Sequence, residues 1–247
     1  MKNISNKILQ LKEVNAVIER CILSKKIFCI GIDGPTASGK TIFSKLLFDE
    51  IKKQTKKNVK IIPLDYLLIA RQFRSKSLDK IIKNNMQFEH EAEIHMNFNK
   101  IDILINSIKK INAGYLDKKR IKIDKLYSRK NFGKCTANID LTLKKNLILI
   151  FEGHYTTRPG LDAIIDENFI LLSDKDTLIQ RKIDRSSSYR NKNDVKTYFE
   201  YIDEPSYLSN YERFSNNNSI IINNSFFSDP VITDYASINK FLDFSKF

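Results

Sequence analysis

The stretch "KIFCIGIDGPTASGKTIFSKLLF", residues 26–48, constrains this chain more than any other. An apolar, β-rich run ends at Gly34, and an amphipathic segment starts at Lys40. The loop between them, Gly34-Pro35-Thr36-Ala37-Ser38-Gly39-Lys40-Thr41, fits the pattern G-x-x-x-x-G-K-[ST] at every fixed position. Gly34 and Gly39 permit backbone angles that a side chain would block. Successive N–H groups can then line a concave nest for phosphate oxygens, and the helix that follows points its positive end at the same anion. Lys40 can reach the outer phosphates as a point charge, and the Thr41 hydroxyl can bind Mg²⁺. The loop therefore specifies a nucleoside triphosphate. It leaves open whether the terminal phosphate goes to water or to a second molecule.

The rest of the chain supplies the frame that such a loop needs. "NVKIIPL" at 58–64 reads as a second strand, so strand, loop, helix and strand form a βαβ unit with a parallel sheet. Residues 1–25 space Ile4, Ile8, Leu11, Ile18 and Ile22 as on an amphipathic helix, and 98–111 is helical in the same sense. Two alternating runs around "RKNFGK" predict a β-hairpin over about 118–143, outside the parallel sheet. "NLILIFEG" at 146–153 and "NFILLS" at 168–173 read as buried strands. "SIIINNS" at 219–225 is a candidate last strand, and 234–244 a closing helix. With no repeat and no low-complexity linker, the expectation is one α/β domain over 1–247. It has three layers, a central mainly parallel sheet, the hairpin insertion and a helical lid over about 175–203.

Cys21, Cys29 and Cys135 are scattered and odd in number, which supports neither a disulfide framework nor a zinc site. The N-terminus lacks the apolar core of a signal peptide. No apolar run approaches the roughly 20 residues of a membrane span. A cytoplasmic protein is expected. The net charge of +13 comes from Lys spread along the chain, without a dense basic cluster interleaved with aromatics. Nucleic acid is therefore not expected as the main partner, and self-association into a homo-oligomer is left open.

Five further features bear on the chemistry or must be weighed against it. Glu152 ends the apolar strand 147–151, where sites in open α/β sheets are built. It can help hold Mg²⁺, or it can cap a nearby helix. Asp65 ends "KIIPL" at the same sheet edge. It can accept a proton from an attacking hydroxyl, or it can serve a turn. The segment 174–194 carries Arg181, Lys182, Arg185, Arg190 and Lys192, with Arg181 and Arg185 on one helical face. It reads either as a solvated basic helix or, beside a phosphate loop, as a lid. His154, two residues past Glu152, either lines the site or is a polar loop residue. Asn191-Lys192-Asn193-Asp194 matches N-K-x-D, the guanine-binding pattern of GTPases, but follows polar "RSSSYR" rather than a buried strand and reads as chance.

With these pieces in order, the chain resembles the uridine kinase and phosphoribulokinase superfamily of P-loop kinases over roughly 26–225. "GIDGPTASGKTIFSKLL" resembles their opening, "IIPLDYLL" their second-strand motif, and "FEHEAEIHMNFNKIDILINSIKKINAG" their Phe-Asp-His-Pro segment and the helix after it. "LYSRKNFGK" is similar to their Tyr-containing hairpin, "LILIFEG" to their strand ending in Glu-Gly, and "TLIQRKIDRSSSYRNKN" to their Arg-rich lid. The resemblance implies ATP and Mg²⁺ as cofactors and a hydroxyl acceptor such as a nucleoside, sugar or sugar phosphate. It makes Asp65 the base and gives Lys40 and Arg185 catalytic roles. The loop 34–41, Arg181, Arg190 and Lys192 become nucleotide contacts, Thr41 and Glu152 the metal pair. Glu89, Tyr127, Arg185 and His154 become acceptor contacts. Leu67-Leu68, Glu91, Ser128 and Phe132 stand where the nucleoside kinases carry other residues, so the phosphate-handling half is kept and the acceptor half altered.

Overall fold

The computed structural model describes residues 6–73, 83, 96–128, 131, 133–186, 191–208, 219–226 and 229–233. Its central sheet forms around three runs rich in β-branched and aliphatic residues that are buried on both faces, as parallel strands covered on both sides must be, with the alternating strand Asn58–Pro63 at one edge. β1 (Phe28–Asp33), β2 (Asn58–Pro63), β5 (Leu147–Glu152) and β6 (Glu167–Leu172) are joined by β7 (Ile220–Asn223) and β8 (Val231–Thr233). Their order is β2-β5-β1-β6-β7-β8, all parallel except the edge strand β8. β3 (Lys118–Ser128) and β4 (Lys134–Lys144) form a separate antiparallel hairpin, as the alternation predicts. β8 carries no signal that the sequence reading used, being three residues long.

Successive β5 side chains go to opposite sides, as the pleat requires. Leu147, Leu149 and Phe151 enter one core with the hairpin residues Ile121, Leu126 and Leu143 and with Leu104, Ile108 and Ile111 of α3 (Asp102–Asn112). Ile148 and Ile150 enter the other core, with α1 (Lys12–Leu23) and α2 (Lys40–Gln54). The sheet is thus a middle layer between two apolar packings, the P-loop kinase arrangement of α/β type. The predicted N-terminal helix is split into a 3-10 turn, Asn6–Gln10, and α1. The closing helix expected at 234–244 lies outside the described residues.

The basic segment after β6 forms α4 (Lys175–Ser186), α5 (Lys192–Tyr198), a π-helical turn (Phe199–Asp203) and α6 (Glu204–Leu208). Asn191 is the N-cap of α5, its side chain accepting from the Asp194 N–H at 2.7 Å. The N-K-x-D match is therefore a helix start, whose Asn is the cap and whose Asp supplies the backbone N–H that the cap accepts from. Lys182 is buried, ion-paired with Asp203 and set 4.3 Å from the Tyr198 ring centre. Lys175 pairs with Glu204 at 2.7 Å. These contacts hold α4 to the end of the same segment.

The core on the α2 side is closed by Phe43 and Phe169, edge to face with ring centres 5.1 Å apart and both buried. Phe169→Ala should lower the stability of the chain by about 3–5 kcal/mol, because a buried aromatic leaves a cavity that the sheet cannot collapse into. Denaturant unfolding of the two proteins measures it. A loss below about 1 kcal/mol would show that this core is not the one that holds the sheet.

Candidate nucleotide site

The phosphate loop is held in its unusual shape from below. Gly34 has φ +141°, and a Cβ there would lie 2.2 Å from the Leu171 carbonyl oxygen. Ala37 at φ 63° and Gly39 at φ 104° bend the loop so that α2 starts at Lys40. Alternation of right- and left-handed residues is what turns consecutive N–H groups inward as an anion nest. Lys40 is buried, its ammonium donating to the carbonyls of Gly34 and Pro35 at 2.7 Å each. Burial pushes its pKa down, while Glu152, Asp33 and Asp65 favour the cation and Arg185 opposes it. Those four groups therefore lie within electrostatic reach of the loop lysine.

Register explains two of them. Glu152 is level with Ile32 of β1 on one side and with Pro63 of β2 on the other. Asp65 stands two residues beyond Pro63, in the 3-10 turn Leu64–Leu67. Gly153 lets the chain leave at once, since a side chain there would sit 2.7 Å from the Leu64 Cβ. The Thr41 hydroxyl donates to Glu152 Oε1 at 2.9 Å. That spacing is the edge of an octahedron whose metal–oxygen bonds are about 2.0–2.1 Å, and the donors are the hard oxygens that Mg²⁺ takes. Among the described residues no group of three His, Cys, Asp or Glu could cage a metal. Such a set suits an ion that completes its shell with substrate phosphates and water.

The remaining expected site residues are distributed as follows. Arg185 is exposed on α4. Lys192 is exposed at the start of α5. Arg181 turns inward, donating to Ser173 Oγ at 3.0 Å and to the carbonyls of Asn224 and Ser225 at 2.8 Å each. Tyr127 is buried in the hairpin, its ring 3.2 Å from where a Gly133 Cβ would be. The Gly133 carbonyl accepts from the Arg71 N–H at 3.0 Å, which docks the hairpin end on the segment that follows Asp65. His154 lies between the Tyr155 and Tyr207 rings, 5.8 and 6.5 Å between centres. It thereby touches both the loop after β5 and α6. Glu89, Arg190 and Phe132 lie outside the described residues.

Asp33 is a residue that motif reading passes over. It is buried at the end of β1, its Oδ1 accepting from the Gly34 N–H at 2.7 Å and its Oδ2 from the Thr156 N–H at 2.8 Å. The Thr156 hydroxyl lies 3.2 Å from that Oδ2 and 2.7 Å from Asn168 Oδ1. One hydroxyl hydrogen serves one acceptor at a time, and a proton on Asp33 completes the other contact. The available signal was a charged residue where a fully buried strand calls for an apolar one; Asn168 breaks "NFILLS" in the same way.

The fold and the loop together define a P-loop domain with the α/β fold of P-loop kinases. Solved structures agree on the fold. A putative fructose transport system kinase from Silicibacter sp. aligns with a TM-score of 0.53 at 17% identity, over 76% of this chain and 87% of its own. Phosphoribulokinase from Rhodobacter spheroides gives 0.53 at 14%, over 81% and 71%. D-glycerate 3-kinase from Cryptococcus neoformans gives 0.52 at 11%, over 84% and 90%. The likeness to the uridine kinase and phosphoribulokinase superfamily read from the motifs is met at the level of fold. No curated protein matches the chain. A model of the KAP family P-loop domain matches residues 4–152, more than half of the 247, and the chain belongs to that family. No helix among the described residues is long and apolar enough to cross a membrane.

Burial raises the Asp33 pKa above its ordinary 3.8, against the pull of its hydrogen bonds and of Lys40. The folded chain then keeps a proton that the unfolded chain has released. This contribution to stability is full below the ordinary value and is lost as pH rises through the raised one. Asp33→Asn has no such proton, so its melting temperature should fall less steeply than that of the parent from about pH 4 upward. Parallel thermal melts across pH test this; identical slopes would mean that Asp33 is ionised when folded.

Proposed function

We propose that the chain is an ATP- and Mg²⁺-dependent kinase that phosphorylates a hydroxyl group of a small molecule. What supports the reading is one arrangement: the Thr41–Glu152 pair, Asp65 and the lid residue Arg185 all gathered about the buried ammonium of Lys40. A triphosphate cradle needs only the loop. A carboxylate on the neighbouring strand end and a cation on a covering helix are what transfer to an acceptor needs in addition.

In this reading the triphosphate lies on the N–H groups of 34–41. Asp65 takes the proton of the acceptor hydroxyl, whose oxygen attacks the γ-phosphorus in line. The bond from that phosphorus to the bridging oxygen breaks, and ADP leaves with the electron pair. Lys40 and Arg185 neutralise charge on the transferring group, with Arg190 and Lys192 contributing along the triphosphate; Arg181, first expected among these contacts, is turned inward onto Ser173, Asn224 and Ser225. Thr41 and Glu152 would hold Mg²⁺, which supplies charge neutralisation at the outer phosphates. Glu89, Tyr127, His154 and Arg185 would face the acceptor, a nucleoside, sugar, sugar phosphate or related metabolite. We read 1–247 as one catalytic unit acting in the cytoplasm on a small molecule rather than on nucleic acid.

A second reading is a nucleotide-binding regulator that hydrolyses slowly and has no acceptor. The family match favours it, because residues 4–152 carry the loop, Asp65 and Glu152 but stop short of the helices at 175–208. ADP release with ATP and Mg²⁺, against a panel of nucleosides, sugars, sugar phosphates and hydroxy acids, separates the two. Release stimulated by one acceptor supports the kinase; release indifferent to all of them supports the regulator. Asp65→Asn should leave ATP affinity within about threefold and lower acceptor-stimulated turnover by at least about 10²-fold. Near-full turnover in that variant would remove Asp65 as the base.

A further inference from the structure

Asn224 follows β7 directly and is only 4% exposed. Its backbone N–H donates to the Leu172 carbonyl at 2.7 Å, extending the pairing of β7 with β6. Its side-chain Nδ2 donates to the Ser38 carbonyl at 2.7 Å. This bond joins the far side of the sheet to the phosphate loop, 186 residues away in the chain. Ser38 and Gly39 share one trans peptide plane, no cis peptide bond occurring among the described residues. In such a plane the carbonyl and the following N–H point in opposite directions. Fixing the Ser38 carbonyl toward Asn224 therefore aims the Gly39 N–H the other way, away from Asn224. Gly39 has φ 104°, so backbone strain does not hold this peptide in place by itself.

Asn224 is held in turn. Arg181 donates to its carbonyl and to that of Ser225 at 2.8 Å each, while its other arm donates to Ser173 Oγ. The Asp174 N–H donates to Ser225 Oγ at 2.9 Å. One guanidinium nitrogen serves the two successive carbonyls while the other reaches Ser173 Oγ, so a single planar group ties the segment after β7 to the end of β6. The Ser38 hydroxyl is buried and has no hydrogen-bond partner, so the side chain of Ser38 does nothing to orient the loop. The orientation of this peptide rests on its carbonyl.

We propose that Asn224 is a positioning residue for the donor phosphates: it orients the Ser38–Gly39 peptide so that the Gly39 N–H faces the bound anion, and Arg181 acts through it. The inference rests on the nucleotide-binding reading of the loop and does not depend on what accepts the phosphate. It gives Arg181 a task that a shared helical face with Arg185 does not reveal.

The test is the affinity of the full chain for Mg-ATP and for inorganic tripolyphosphate, measured by titration calorimetry, with thermal melts of each free protein as the control for folding. Asn224→Ala should weaken both ligands by about tenfold and by the same factor, since the lost contact lies at the phosphates and not at the base. Asn224→Asp, of nearly the same shape but unable to donate when ionised, should weaken them more, by about 10²-fold, and offers a second variant should the alanine protein fold poorly. Arg181→Ala should weaken both, and Arg181→Ala with Asn224→Ala together should lose no more than Asn224→Ala alone. Additive losses would mean that Arg181 meets the nucleotide directly and would overturn its part of the proposal. Unchanged tripolyphosphate affinity in Asn224→Ala and Asn224→Asp, with the parent binding normally, would overturn the role of Asn224. A parent that binds neither ligand would instead overturn the nucleotide reading and this inference with it.

Discussion

β5 is hydrogen-bonded along both edges, to β1 and to β2, with Glu152 level with Ile32 on one side and Pro63 on the other. Parallel ladders admit only shifts by whole residues, and a shift of one would turn Leu149 and Phe151 out of one core and Ile148 and Ile150 out of the other. Burial on both faces therefore locks this register. The places of Asp33, the loop, Glu152 and Asp65 follow from it. β1 delivers Asp33 and then the loop; β5 delivers Glu152 beside Thr41; β2 delivers Asp65 one short turn later. The carboxylates are set by the packing of side chains that never meet the nucleotide.

The same edge collects charge in a place with little water. Lys40 is buried among Asp33, Glu152 and Asp65, and its own desolvation is the largest influence on it. Such a cluster is costly unless its members compensate one another. They do so here by division of labour. Asp33 is tied to backbone and Thr156 donors and driven toward its neutral form, Glu152 accepts from Thr41, and Asp65 is half-exposed at the rim. Asp33 binds the first loop amide to the segment after β5.

Much of this was legible in the sequence because the signals are local. The loop pattern, the apolar strands, the alternating hairpin and the acidic strand ends at 65 and 152 each occupy a few consecutive residues. What was not legible depends on distance. Asn224 meets Ser38 and Arg181 meets Ser225 only because β6 and β7 pair, and a lone Asn in "SIIINNS" does not announce a partner in the loop. Helical spacing placed Arg181 and Arg185 on one face, yet spacing does not tell which of two arginines is drawn inward by free carbonyls at the strand ends. The N-K-x-D match shows the converse, since a short pattern with a specific meaning elsewhere is here the ordinary chemistry of a helix cap.

Lys40 connects these observations to what binding must do. Its ammonium donates to two carbonyls of its own loop, Gly34 and Pro35. A carbonyl is a neutral acceptor, whereas phosphate oxygens are anionic and form charge-assisted bonds about twice as strong. An incoming triphosphate thus competes for the lysine on favourable terms, and also favours the charged form of the lysine that burial disfavours. The exchange frees the two carbonyls only if the loop keeps its shape when they lose their donor. The bonds that do not pass through Lys40, from Gly34 to Asp33 and from Asn224 to Ser38, lie at the two ends of the loop and hold that shape. A loop anchored at both ends by neighbours that the anion does not touch can give up its lysine without giving up its nest.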